Sequence, residues 1–255
     1  MKKAPTIQYE TTSEIGGTAF LTRVKVQDYA LSVYGAAVGF GDRAELSIAR
    51  QDFDAGDNLA PLGLPGLHLK QNILGAKLRV AGDAVLDSDT LMPQVAVGVL
   101  YKKADAGALG PTLTGPLGAK DSGTDLYLSA TKLFLAQGFL VNGTLRATKS
   151  NQNGLLGFGG AAASSYKLQP EVSVAWLLRR DLAVGAEYRA KPDNLNESVL
   201  GSGALKEDDW YDLFLAWAPN KHLSITLAWV DLGRIAPAVQ PRRQRGAYLS
   251  AQIGF

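Results

Sequence analysis

The side chains best suited to chemistry near neutral pH are two histidines, His68 and His222, and the chain has no cysteine. A serine or threonine nucleophile needs such an imidazole within hydrogen-bond reach and a third polar group to orient it. His222 directly follows the turn Pro219-Asn220-Lys221, and His68 opens an alternating segment; neither is accompanied by a nucleophile motif. Two distant imidazoles with no thiolate do not make a metal site. The stretch Gly157-Phe158-Gly159-Gly160 lacks the strand-to-helix context of a phosphate cradle. No catalytic residue, metal or cofactor is expected.

A richer set of groups is charged. Glu45, Asp125, Glu171, Glu187 and Asp212, with Lys77, Arg79, Lys102, Arg146, Lys167 and Arg189, share one parity of the segments that carry them. Two readings stay open. Opposite charges can pair across neighbouring strands and brace an interior. Alternatively they line a narrow aqueous pore, where six bases against five acids give a weak anion preference. Small residues of the same parity, among them Gly98, Ser129, Gly185 and Ala228, lean toward the pore. A separate cluster, Arg234, Arg242, Arg243 and Arg245, falls in or beside one loop. Its guanidinium forks suit lipid phosphates or would draw in anions, and a plain solvated loop is the alternative. A formal net charge of +2 is too small to imply a nucleic-acid partner.

The elements that hold these groups are strands. Ala247, Leu249, Ala251, Ile253 and Phe255 oppose Tyr248, Ser250, Gln252 and Gly254. Tyr211, Leu213, Leu215 and Trp217 oppose Trp210, Asp212, Phe214 and Ala216, and Val172, Val174 and Trp176 oppose Glu171, Ser173 and Ala175. This period of two runs over segments of about ten residues, the length of a transmembrane strand. About twelve such segments are read, from 15–25 to 245–255. Segment 67–80 changes parity, Leu69, Gln71 and Ile73 giving way to Leu74, Ala76 and Leu78, which predicts a β-bulge near 72–74.

The connections sort into two classes. Gly41-Asp42, Ala136-Gln137-Gly138, Arg179-Arg180-Asp181 and Pro219-Asn220-Lys221 are tight, whereas 54–66, 105–122, 150–164, 192–207 and 232–244 are long and polar. Aromatic residues of the apolar parity gather at strand ends. Tyr101, Tyr166, Tyr188, Tyr211 and Trp229 lie toward the long loops, and Phe139, Trp176, Trp217 and Phe255 toward the short turns. They form the two girdles expected where rings meet lipid headgroups. No apolar run reaches the roughly 18 residues of a membrane helix. The sequence therefore predicts an all-β fold: a closed antiparallel transmembrane β-barrel of about 12 strands, with short periplasmic turns and longer extracellular loops. Residues 15–255 form one barrel domain, and 1–14 an N-terminal extension or partial strand. Met1-Lys2-Lys3 begins like a signal peptide but no apolar stretch follows, so the chain is expected to be a mature or trimmed form.

The last strand, ending in Phe255, resembles the C-terminal signal of bacterial outer-membrane proteins, which implies the barrel-assembly machinery as a partner. The segment from Ala216 to Gly233, with Asp28-Tyr29 through Asp54, resembles hairpins of an uncharacterised family of proteobacterial outer-membrane proteins. That resemblance implies a barrel in a Gram-negative outer membrane, amid outer-membrane lipid and lipopolysaccharide, and carries no activity. The expected function is a small passive, porin-like pore for the transport of small hydrophilic or anionic solutes. The alternative is a closed structural barrel that anchors a periplasmic or surface partner. The remotest reading is a lipid-modifying enzyme, because a twelve-stranded barrel also hosts an outer-membrane phospholipase.

Overall fold

The computed structural model describes residues 15–85, 91–195 and 197–255. The extension 1–14 lies outside the described residues. The alternating segments become β1 (Ile15–Val26), β2 (Ala30–Phe40), β3 (Ala44–Asp54), β4 (His68–Ala81), β5 (Gln94–Asp105), β6 (Ser122–Phe134), β7 (Phe139–Thr148), β8 (Lys167–Arg179) and β9 (Leu182–Arg189). After β9, a small ladder of β10 (Glu197–Ser198) and β11 (Gly201–Ser202) sits within a loop, before β12 (Trp210–Asn220), β13 (Leu223–Asp231) and β14 (Arg245–Gly254). Every large strand pairs antiparallel with its neighbours, and β14 pairs with β1, closing a barrel of twelve.

The two parities separate as the pleat requires. Leu213, Leu215, Leu227, Leu249, Ile253, Leu46, Ile48 and Leu74 point outward and are exposed. An apolar belt of this extent is out of place in water. Closure leaves the barrel sheet without an edge strand, which is the condition for a sheet in hydrocarbon. The girdle rings lie on this outer face, with Tyr101, Tyr166, Trp176, Tyr211, Trp217, Trp229 and Phe255 exposed. Phe139 packs edge-on to Trp176 with centroids 6.2 Å apart, and Tyr188 packs on Tyr211 at 5.2 Å. The seam closes through Phe255, whose amide and carbonyl exchange hydrogen bonds with Gly17 at 2.9 and 2.8 Å. Its ring lies against that glycine, where a Cβ would stand 2.4 Å from the ring.

β4 contains no bulge near 72–74. Its register with β3 is unbroken from Ala44↔Leu78 to Asp54↔His68, and its register with β5 shifts only between Arg79 and Ala81. Leu69, Gln71 and Ile73 therefore face inward together with Lys77. The reason is that the interior at the loop end is apolar, so an inward leucine is buried there as well as an outward one is in lipid. Leu69 packs with Leu113, Leu117, Leu155, Leu156, Leu195 and Leu205, all from the long loops. A second cluster joins Val24, Val26 and Tyr29 to Leu59, Val230 and Ile235. The loops thus fold across the barrel mouth and share a core with its wall.

Candidate functional site: the barrel interior

Five consecutive strands contribute one charge each to a ladder on the inner wall. Lys102 on β5 meets Asp125 on β6 at 2.7 Å, and Arg146 on β7 lies 3.8 Å from Asp125 and 2.8 Å from Glu171 on β8. Arg189 on β9 completes the ladder, 3.2 Å from Glu171. The sign alternates at each step. Asp125 also accepts hydrogen bonds from the Thr148 and Ser150 hydroxyls, and Lys102 donates to the Asn153 carbonyl at 3.1 Å. Removing one member of such a buried pair strands its partner and costs about 3–5 kcal/mol. A second pair, Lys77 with Glu45 at 3.1 Å, spans β4 and β3.

The inward charges read from the sequence fall into three places. Lys77, Arg146, Glu171, Glu187, Arg189 and Asp212 border a vestibule of about 410 Å³ that reaches the short-turn end, where they stand among apolar residues such as Leu100, Leu140 and Phe214. Glu45, Lys102 and Asp125 are buried in the wall itself. Arg79 bonds the Gly82 carbonyl at the short-turn end, and Lys167 is exposed at the loop-end rim. The excess of bases over acids does not reach the solvent-lined space, where three bases face three acids. Nor do the small inward residues leave the lumen wide. Gly35, Gly98 and Gly185 lie directly opposite Phe20, Tyr127 and Phe214. A Cβ on Gly98 would meet the Tyr127 ring at 2.2 Å, and one on Gly185 the Phe214 ring at 2.3 Å. The missing side chains make room for neighbouring rings.

Above the vestibule, toward the loops, is a second chamber of about 400 Å³ with a nearly all-apolar lining. Val24, Leu31, Trp210 and Leu232 line both spaces and mark the divide. Trp210 is held there by Lys191, whose Nζ lies 3.2 Å from the ring centroid. Lys191 pairs with Glu207 at 3.1 Å, and Glu207 accepts the Gln152 amide at 3.0 Å. Burial pushes the Lys191 ammonium down to about 7 against the pull of Glu207, and pushes the Glu207 carboxyl up. Neither residue was singled out by sequence reasoning, and the chamber was missed with them. The available signal was the leucines at 59, 113, 155, 195 and 205, one or more in each of four long connections.

The chain belongs to DUF3034, a protein family of unknown function. The match runs over residues 2–252. A search of curated proteins finds no match. Among solved structures, the barrel is similar to the KdgM porin, with a TM-score of 0.56 and 9% identity over 93% of this chain and 99% of that one. The NanC porin gives 0.57 at 6% identity over 93% and 98%. The Acinetobacter baumannii outer membrane protein Omp33 gives 0.52 at 9% identity over 96% and 100%. At these identities the likeness is one of fold: a closed transmembrane β-barrel of the porin type.

In this DUF3034 barrel the arginine cluster is a clamp. Arg234 holds Asp208 through two side-chain bonds of 2.9 and 2.8 Å, Arg242 holds Asp28, and Arg243 and Arg245 each reach Asp231 at 2.9 Å. The Arg234 hydrogen bonds keep the Asp208 carboxyl below the usual carboxylate range. Burial alone would raise Asp28, but its bonds from Gln244 and Arg242 hold it low as well. These forks are occupied by carboxylates from the turn after β1, the end of β13 and the loop before β12. Both histidines lie at barrel ends. His68 Nδ1 bonds Asp52 at 2.6 Å, while Ser32, paired with Asp52 across the strands, takes its hydrogen bond from Arg23. His222 Nδ1 bonds the Gly254 carbonyl at 2.9 Å.

Proposed function

We propose that this protein is a narrow channel of a bacterial outer membrane that passes small solutes in two stages, through the apolar loop-end chamber and then the charge-bearing vestibule. The observation that carries the reading is the serial arrangement of the two spaces along one barrel axis, meeting at Trp210. The porin-type fold and the exposed apolar belt support the membrane location. Lipopolysaccharide phosphate at the loop end would compete with Asp28, Asp208 and Asp231 for the arginines. The charges around the vestibule balance, so the channel discriminates little by charge.

The test is electrical. Purified chain reconstituted in planar bilayers is expected to give small, steady conductance steps with a reversal potential near zero in a salt gradient. A folded barrel with no conductance overturns the channel reading. A closed structural barrel then becomes the better account, and the specific observation in its favour is the leucine core spanning the mouth. For the hydrolase reading, neither histidine shares a hydrogen bond with a serine among the described residues. The phospholipid-cleaving arrangement would have to form on a pair, His68 and Asp52, that lacks its nucleophile.

A further inference from the structure

We propose that the loop-end chamber is a binding site for an uncharged amphipathic small molecule: mostly hydrocarbon, with one hydroxyl or carbonyl group. Its volume of about 400 Å³ lies in the range of small-molecule pockets. The lining is mostly hydrocarbon, with Leu59, Leu113, Leu155, Leu205 and Ile235 from the loops and Leu69 from the wall. Residues of the lining also reach the surface: Leu62 is 64% exposed and Leu200 55% exposed, so the chamber communicates with the loop side.

The polar groups within this lining specify the head of the ligand. Gln152 is buried, and its Nε2 donates to the Leu205 and Ile235 carbonyls at 2.8 and 2.9 Å. Those two bonds fix the amide orientation, and the Oε1 is left without a hydrogen-bond partner among the described residues. The Gln51 Oε1 and the Trp210 Nε1 are likewise buried and unbonded. Buried polar atoms are normally paired, and here two acceptors and one donor belong to residues that border the same apolar space. A hydroxyl can donate to a glutamine oxygen and accept from the indole; a carbonyl can take the indole alone. A charged head is a poor fit, because desolvating it would need a free counter-charge, and Lys191, the cation beside Trp210, is engaged by Glu207.

The inference deepens the channel reading by naming the substrate class, and rests on that reading only for onward passage, not for binding. The test exploits Trp210. Replacing Trp176, Trp217 and Trp229 by phenylalanine leaves one tryptophan of four, at the divide between the chambers. With that protein in lipid nanodiscs, bromohexanol is expected to quench Trp210 fluorescence saturably, and unbrominated hexanol to relieve the quenching. Exchanging hydrocarbon contacts for polar ones with Leu113→Asn and Leu205→Asn should weaken binding about tenfold. Gln51→Leu should weaken bromohexanol more than bromohexane, since it removes only a head-group acceptor. Quenching that rises linearly, is untouched by hexanol and is identical in the variants would mean simple partition into lipid, and would overturn the proposal. Competition by hexanol in the single-tryptophan protein, whose chamber is unaltered, decides the matter even if a chamber variant fails to fold. Saturable quenching in a barrel that does not conduct would retain the binding site and remove the channel; conductance without saturable quenching would do the reverse.

Discussion

At the scale of single residues, what faces inward is decided by pairs. Gly98 is tolerated in a strand because the Tyr127 ring covers it, and Gly185 because Phe214 does. A glycine within a strand lacks packing of its own and admits a close neighbour; here the neighbour is an aromatic ring that narrows the lumen. Outward residues obey a different solvent. Val174 and Ala175 are adjacent on β8, yet Val174 pairs with the outward Val141 and Ala175 lines the vestibule. Lysine at position 174 should therefore destabilise the barrel by about 2–4 kcal/mol if it meets the bilayer midplane. Lysine at position 175 meets water and should cost much less. Urea titrations of refolding into lipid vesicles measure both, and equal costs would reverse the assignment of faces.

At the scale of elements, the last long loop is tied down by charge. Arg234, Arg242, Arg243 and Arg245 hold three aspartates, and those of Asp28 and Asp208 are kept ionised by bonds that exist only when the loop is docked. A carboxyl whose folded pKa is depressed contributes stability above its unfolded value and loses it as pH falls through the folded one. The ordinary aspartate value is 3.8, so acidification below it should release residues 232–244 while the strands stay intact. Hydrogen exchange, corrected for intrinsic rates, should show that segment losing protection first. Arg234→Gln should loosen it at neutral pH, and uniform protection at both pH values would show that the clamp holds nothing. This loop also marks the limit of what the sequence made legible. The strands were readable because burial in a sheet imposes a period of two, as in Leu213, Leu215 and Trp217. The loops carry no period. Leu113, Leu155 and Leu205 meet only because the barrel brings their ends to one mouth. The same cause hid the true facing of Leu69: periodicity tells two faces apart, but not which is covered by lipid and which by a folded loop.

At the scale of the whole molecule, two spaces lie in series inside one wall, one bordered by charges and one without them. Beside the vestibule runs a charge ladder of alternating sign, so its field on a passing solute is weak. The chamber above has no charged residue in its lining, and Trp210 stands where the two spaces touch, beside Lys191 and with Arg189 6.0 Å from its ring. A solute that crosses the barrel passes this ring, which borders both spaces, and the ring's size is then expected to limit the flux more than any charge. Trp210→Ala should then raise unit conductance severalfold and leave the reversal potential where it was, because no charge changes. Trp210→Phe keeps most of the volume and should change conductance little. Arg146→Gln is expected to act on another property: it leaves Glu171 with one partner fewer and should lower the unfolding temperature of the barrel by more than it alters selectivity. Bilayer recordings paired with melting curves separate the two effects. Unchanged conductance in Trp210→Ala would place the constriction elsewhere, among the rings opposite Gly98 and Gly185.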